Sequence, residues 1–190
     1  TQNTSWVNAE KALWALNDQD FLSISRLNEL DPSSIAPLIK SSGYYNQKAI
    51  KIKTLIDFLI KNPISHLLKE KDIQKLRKQL LEIKGVGSET ADSILLYSLK
   101  KPIFVVDAYT RRLLSRMKII EGKETYEEIQ SLFHQDIQDD LAVYNEFHAL
   151  IVQHCVHVCI SKPNCSDCVF KSKCPKNIII KPKKKSKNRQ

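Results

Sequence analysis

Apolar residues that return every three or four positions along nearly all of a 190-residue chain constrain this sequence more than any other feature. In residues 46–61, Ile52, Leu55, Ile56, Leu59 and Ile60 fall on one helical stripe, while Lys48, Lys51, Lys53 and Asp57 lie mostly off it. The same spacing recurs in residues 9–16, 73–83, 90–99, 109–117, 126–133 and 140–152, and strand-like alternation is almost absent. The expected fold class is all-α. Glycine occurs only at positions 43, 85, 87 and 122, so each one marks a place where the backbone needs an unusual conformation. Pro102 breaks the helical register after Lys100 and Lys101, which predicts two helical domains over residues 1–102 and 103–176.

The formal charge of +9 comes from 30 Lys and Arg against 21 Asp and Glu. Nine of those basic residues lie in residues 171–190, which hold no acid, so the rest of the chain carries 21 of each sign. The excess is a tail, and residues 177–190 are expected to form a basic disordered end. Bulk charge alone therefore does not argue for a nucleic-acid partner. The longest apolar runs, such as Ile103 to Val106, fall far short of the roughly 18 residues of a membrane span, so no membrane association is expected. Thr1-Gln2-Asn3-Thr4 shows neither a basic leader nor an apolar signal core, which suits a cytoplasmic protein.

Two local patterns carry chemistry. In the first, an amphipathic stretch ending at Ile83 runs into Lys84-Gly85-Val86-Gly87, and Ser88 opens another through Thr90, Ala91, Ile94, Leu95 and Leu99. This reads as helix, hairpin, helix. Glycines on either side of Val86 allow a tight turn and close approach, Val86 is expected to anchor the hairpin in the core, and Ser88 is a candidate N-cap. A phosphate suits such a helix start; a plain glycine-stopped helix followed by a capped one fits the same residues. Further on, the apolar run Ile103 to Val106 delivers Asp107 to the start of a helix bearing Arg111, Arg112 and Arg116. An ordinary N-cap aspartate and a carboxylate that faces a sugar cation or deprotonates water are compatible readings of that residue.

The second pattern is Cys159-x5-Cys165-x2-Cys168-x5-Cys174, four thiols within sixteen residues. A disulfide framework fits poorly with an odd total of five Cys, so metal ligation is the stronger reading. One Cys-x2-Cys flanked evenly on both sides favours an iron–sulfur cluster over a zinc ribbon, which needs two close pairs. Zinc and free thiols stay open. Cys155 reads as a packed thiol, and His148, His154 and His157 as packing or phosphate contacts.

Taken in order, Ser42-Gly43-Tyr44-Tyr45-Asn46-Gln47-Lys48-Ala49, the hairpin from Leu81 to Gly87, Pro102 and Val106-Asp107 resemble the helix-hairpin-helix (HhH-GPD) DNA glycosylases of the endonuclease III superfamily. The resemblance covers residues 1 to about 175. It implies a base-excision-repair enzyme that takes a damaged base out of double-stranded DNA, with Asp107 catalytic and Lys84, Gly85, Val86, Gly87 and Ser88 on the DNA backbone. Gln2 resembles the residue that fills the hole left in the duplex. The cysteine loop resembles the superfamily's [4Fe–4S] loop, its first gap one residue shorter than usual, with Cys159, Cys165, Cys168 and Cys174 as ligands.

Bifunctional members of that superfamily carry a lysine two residues after the second hairpin glycine. Here that position is Glu89, and a carboxylate cannot form a Schiff base. The expectation is a monofunctional hydrolase in which Asp107 assists a water, with a pattern closest to the 3-methyladenine glycosylase branch. An alkylated purine is positively charged, so an aromatic pocket would hold it by stacking and cation–π attraction. Tyr44, Tyr45 and Trp6 are pocket candidates with Lys48 and Glu89, and Trp14 is a further aromatic; each can equally belong to the core. Two alternatives stand beside this reading: a glycosylase for another damaged or mismatched base, and a non-catalytic helix-hairpin-helix module that only binds DNA. A monomer is expected in each case.

Overall fold

The computed structural model describes residues 4–175, so Gln2 and the basic tail lie outside the described residues. The described residues contain helices and connecting segments and no strand. No described helix is long and apolar enough to cross a membrane. The chain divides into two compact units between Leu99 and Lys100, just before Pro102.

The first unit holds α1 (Trp6–Asn17), α2 (Ile24–Glu29), α3 (Pro32–Leu38), α4 (Tyr45–Lys61), α5 (Ile64–Lys69), α6 (Ile73–Leu81) and α7 (Ser88–Ser93). Short polar side chains start most of them: Ser5, Ser23, Asp31 and Asp72 each accept a backbone N–H from the first turn that follows. The stripes of α1, α3 and α4 close on one core of Ala12, Leu16, Ile35, Ala36, Ile39 and Ala49. Tyr45 packs against that core, so one of the proposed pocket aromatics is partly structural.

The hairpin corrects three sequence expectations. The N-cap of α7 is Gly87 and not Ser88, which is the first helical residue. Val86 is only half-buried; the apolar anchor is Ile83, whose carbonyl accepts the Val86 N–H at 3.0 Å. The helix expected over residues 90–99 leaves α geometry at Ile94 and runs to Ser98 as a π-helix. A wider turn rotates less per residue, which lets the consecutive Leu95 and Leu96 both face inward, where both are fully buried.

The second unit holds α8 (Ala108–Arg116), α9 (Tyr126–Asp136) and α10 (Leu141–His157), followed by the cysteine loop. Its core is aromatic: Phe104 stacks on Phe133 at 3.6 Å between ring centroids and meets Tyr144 and Phe147 edge-on. Residues 102–106 belong to no helix, with Ile103, Phe104, Val105 and Val106 all buried, and among the described residues no strand lies beside them to satisfy their backbone. One face of α9 does so instead. His134 Nε2 accepts from Phe104 N–H at 3.3 Å, Gln130 Nε2 donates to Phe104 O at 2.6 Å, and Tyr126 Oη accepts from Val106 N–H at 3.2 Å. The spacing of 126, 130 and 134 places all three on one side of the helix. This polar stripe fixes the segment that ends at Asp107.

Candidate active site and cysteine loop

Asp107 is the N-cap of α8, with an extended backbone at φ −101° and ψ −176°. Its Oδ1 accepts two bonds from Thr110, from N–H at 2.7 Å and from Oγ1–H at 2.9 Å. The residue is thus an ordinary N-cap, as the sequence allowed, and its second oxygen is available for other work. Oδ2 lies 3.6 Å from Nε2 of His148 on α10, with the carboxylate side chain 14% exposed and the imidazole 11%. Burial pushes the carboxyl upward, but the neighbouring His148 imidazole and the Thr110 amide outweigh it, and the group titrates below its ordinary value. Near neutral pH Asp107 is an ionised carboxylate facing the positive end of a helix dipole.

Thr110 and His148 were not among the sequence-derived site residues. Asp-x-x-Thr is a capping pattern that local reading can find. The sequence reads His148 as packing or a phosphate contact. It shares the buried face of α10 with Tyr144, Ile151 and Cys155, and a histidine interrupting an apolar stripe is the signal that could have found it.

From Asp107, α8 runs directly to the cysteine loop. Arg112 donates to the carbonyls of Cys159 at 2.9 Å and Cys155 at 2.8 Å. Arg116, one turn on and buried, donates to the carbonyls of Cys159, Ile160 and Ser161 and to Cys159 Sγ at 3.2 Å. A buried guanidinium ringed by carbonyls and one sulfur is electrostatically suited to a thiolate there.

Cys159, Cys165, Cys168 and Cys174 line one cavity together with Arg116, His154, Pro163 and Phe170. Among the described residues no three Cys, His, Asp or Glu side chains converge tightly enough to hold a single metal ion. A tetrahedral zinc site needs its sulfurs about 3.8 Å apart, from Zn–S bonds near 2.3 Å, whereas a four-iron cube spreads four thiolates around a body of several atoms. Four thiols around one cavity are the donor set that both a zinc ion and a four-iron cube take. His154 Nε2 is 3.7 Å from Cys168 Sγ, and its ring meets Phe170 edge-on. Cys155 is buried and donates to Tyr109 O at 3.5 Å; burial pushes its thiol up to about 11, in keeping with a packed, unreactive cysteine.

In the first unit, the hairpin glycines do different jobs. Gly85 sits at φ +94°, and a Cβ there would lie 2.8 Å from Cγ of Lys51, so it serves both a left-handed turn and close packing on α4. Gly87 has φ −103°, and a Cβ there would meet nothing within 4 Å. It leaves the surface open for a close-approaching partner and brings no side chain of its own to cap α7. Beneath the hairpin, Arg77 of α6 holds the fully buried Asp92 of α7 through Nε–Oδ1 at 2.7 Å and Nη2–Oδ2 at 3.2 Å. That bidentate pair ties the two hairpin helices together. Lys84 and Glu89 are exposed, and Ser88 is half-buried.

The aromatic candidates separate by exposure. Trp6, Trp14 and Tyr44 are 68%, 61% and 69% exposed. Tyr44 holds a left-handed backbone at φ 47° at the start of α4. Lys48 donates to Ser42 O at 2.6 Å, and burial with the neighbouring Lys51 charge lowers its basicity.

The model of the HhH-GPD superfamily of base excision DNA repair proteins matches residues 1–138. A Methanocaldococcus jannaschii protein assigned as a DNA repair glycosylase is 44% identical over 177 residues, covering 92% of this chain and 80% of that protein. Endonuclease III of Sulfolobus acidocaldarius is 30% identical over 92% of this chain and 77% of its own length. Among solved structures, the Helicobacter pylori 3-methyladenine DNA glycosylase bound to 1,N6-ethenoadenine superposes with a TM-score of 0.72 at 30% identity, over 81% of this chain and 79% of that one. A non-covalent endonuclease III–DNA complex superposes with a TM-score of 0.77 over 93% and 78%; at 19% identity it shows the shared fold.

Proposed function

The chain belongs to the HhH-GPD superfamily of base excision DNA repair proteins and is a DNA glycosylase, an enzyme that hydrolyses N-glycosyl bonds, and from that premise we propose that it is monofunctional and acts on alkylated purines of the 3-methyladenine kind. The reading as a non-catalytic binding module gives way to this membership. The observation that carries the finer reading is the pairing of an ionised, half-buried carboxylate at Asp107 with a glutamate at position 89. The 30% identity to a 3-methyladenine glycosylase supports the same substrate class.

In this mechanism the glycosidic bond of the extruded nucleotide breaks with its electron pair leaving on the base. An alkylated purine already bears positive charge and departs easily, so stabilising the sugar cation is the main task. Asp107 Oδ2 faces that cation. Water then adds to the sugar carbon and its proton passes to the carboxylate, leaving an abasic site and an intact strand. Glu89 offers no amine for a second, strand-cleaving step. Lys84 to Ser88 dock the duplex backbone, with Gly87 permitting the closest approach. Tyr44 and Trp6 supply exposed aromatic faces for the flipped base.

Cys159, Cys165, Cys168 and Cys174 are the proposed ligands of a [4Fe–4S] cluster. When bound, the cluster would supply structural cross-linking of the loop and a fixed platform for its lysines, with no redox step in base release. Arg112 and Arg116 hold this loop onto the helix that Asp107 begins.

The test is base release from duplex DNA treated with a methylating agent, with freed bases separated by chromatography and strands checked for nicks before and after alkali. Release of 3-methyladenine with nicks only after alkali is the expected result. The endonuclease III relatives favour a second reading, a strand-cleaving enzyme, and nicks without alkali would establish it. No release from methylated DNA would move the substrate to another lesion.

A further inference from the structure

We infer that His148 is the positioning residue of the catalytic carboxylate, its Nε2 holding Asp107 Oδ2 in place and in its charged form for the reaction. This rests on the reading of Asp107 as the catalytic group and goes beyond it by assigning a partner from a distant helix. Three observations converge. Both Thr110 bonds go to Oδ1, so they fix one oxygen and leave the orientation of the other to a different group. The group facing Oδ2 is His148 Nε2 at 3.6 Å. The imidazole is itself held, on the buried face of α10 and edge-on to Phe104 at 6.2 Å between centroids with planes at 78°. Phe104 belongs to the same segment that delivers Asp107, so ring and carboxylate are referenced to one piece of backbone.

At 3.6 Å this is a close contact between buried groups and not a formed hydrogen bond, and Nε2 makes no hydrogen bond in the free protein; catalytic hydrogen bonds commonly tighten once substrate arrives. The surroundings assign the electrostatic role to His148. Thr110 contributes neutral donors from α8, and Cys155, the other titratable group of α10 near Asp107, is a neutral thiol raised by burial. From α9, the Tyr126 hydroxyl accepts from the Val106 amide, one residue before Asp107. A donor, and when protonated a cation, at Nε2 opposes the desolvation that would otherwise protonate Asp107.

The experiment follows the Asp107 carboxyl directly by carbon NMR titration, assigned by its loss in Asp107→Asn, in wild type, His148→Leu and His148→Gln. His148→Leu is expected to titrate at higher pH than wild type. His148→Gln, which keeps a donor near the Nε2 position, is expected to fall between them. Base release measured alongside should slow on the order of tenfold below about pH 5 in His148→Leu and much less at neutral pH. Affinity for duplex DNA containing an abasic-site analogue should stay unchanged. An Asp107 titration identical in all three overturns the inference, as does a loss of rate in His148→Leu that is uniform across pH. If His148→Leu fails to fold, the comparison of His148→Gln with wild type decides, since the two side chains are similar in size. Failure of the Asp107 reading is separate: it would appear as base release persisting in Asp107→Asn, whatever the titration does.

Discussion

At the residue scale, the proposed site depends on one carboxylate doing two jobs. Asp107 caps α8 through Oδ1 and is proposed to offer Oδ2 to chemistry, so Asp107→Asn keeps an N-cap acceptor while removing the charge. Base release should fall by at least about a hundredfold in that variant while DNA affinity stays close to wild type. Binding assays beside the release assay check this. The capping bond also has its own signature. Thr110→Val removes the Oγ1 donor and keeps the backbone amide, which should cost about 1 kcal/mol of stability in denaturant unfolding. The pH dependence follows from the direction of the Asp107 shift. Its carboxyl titrates lower folded than unfolded, so its stabilising contribution is fully present above the unfolded value and disappears as pH falls through the folded one. Acid unfolding curves of wild type and Asp107→Asn should therefore converge in strong acid and diverge above it.

At the element scale, the hairpin and its helices are held by features that substitution can separate. Gly85→Ala meets both a left-handed backbone and the Lys51 stem, which predicts a loss of roughly 1–2 kcal/mol in denaturant unfolding. Gly87→Ala meets neither, so stability should hold while DNA affinity drops, because the new methyl stands on the open face. Equal stability losses in the two variants would contradict this division. Removing one half of the buried pair under the hairpin, as in Arg77→Met, takes the guanidinium away from the fully buried Asp92 carboxylate and should cost about 3 kcal/mol. The same logic of satisfied polar groups explains residues 102–106. A buried segment with neither helix nor sheet survives because Tyr126, Gln130 and His134 bond the backbone of Phe104 and Val106.

At the scale of the whole molecule, the cysteine loop and the proposed catalytic carboxylate share one helix, with Asp107 at its start and Arg116 at its end. Protein purified without oxygen should carry about four irons per chain, and Cys168→Ser should lower iron content and melting temperature together. Zinc at one per chain in native preparations would contradict the cluster reading. Much of this architecture was legible in the sequence, because three-four spacing, glycine placement, the N-cap carboxylate and the cysteine spacing are local patterns written within a turn or two of chain. Local reading fell short where neighbours beyond that range decide: the π-helix after Ser93 follows from burying Leu95 and Leu96 together, and of the two readings open for Tyr45, packing against the core of α1, α3 and α4 is the one the fold realises. The sequence by itself determined the helical class, the hairpin, the carboxylate at the head of α8 and the four thiols. Only the tertiary structure decided that His148 meets Asp107, that α9 bonds the backbone of Phe104 and Val106, and that Arg116 reaches Cys159. Those pairings join residues far apart in the chain, and packing brings them together where no local periodicity records the meeting.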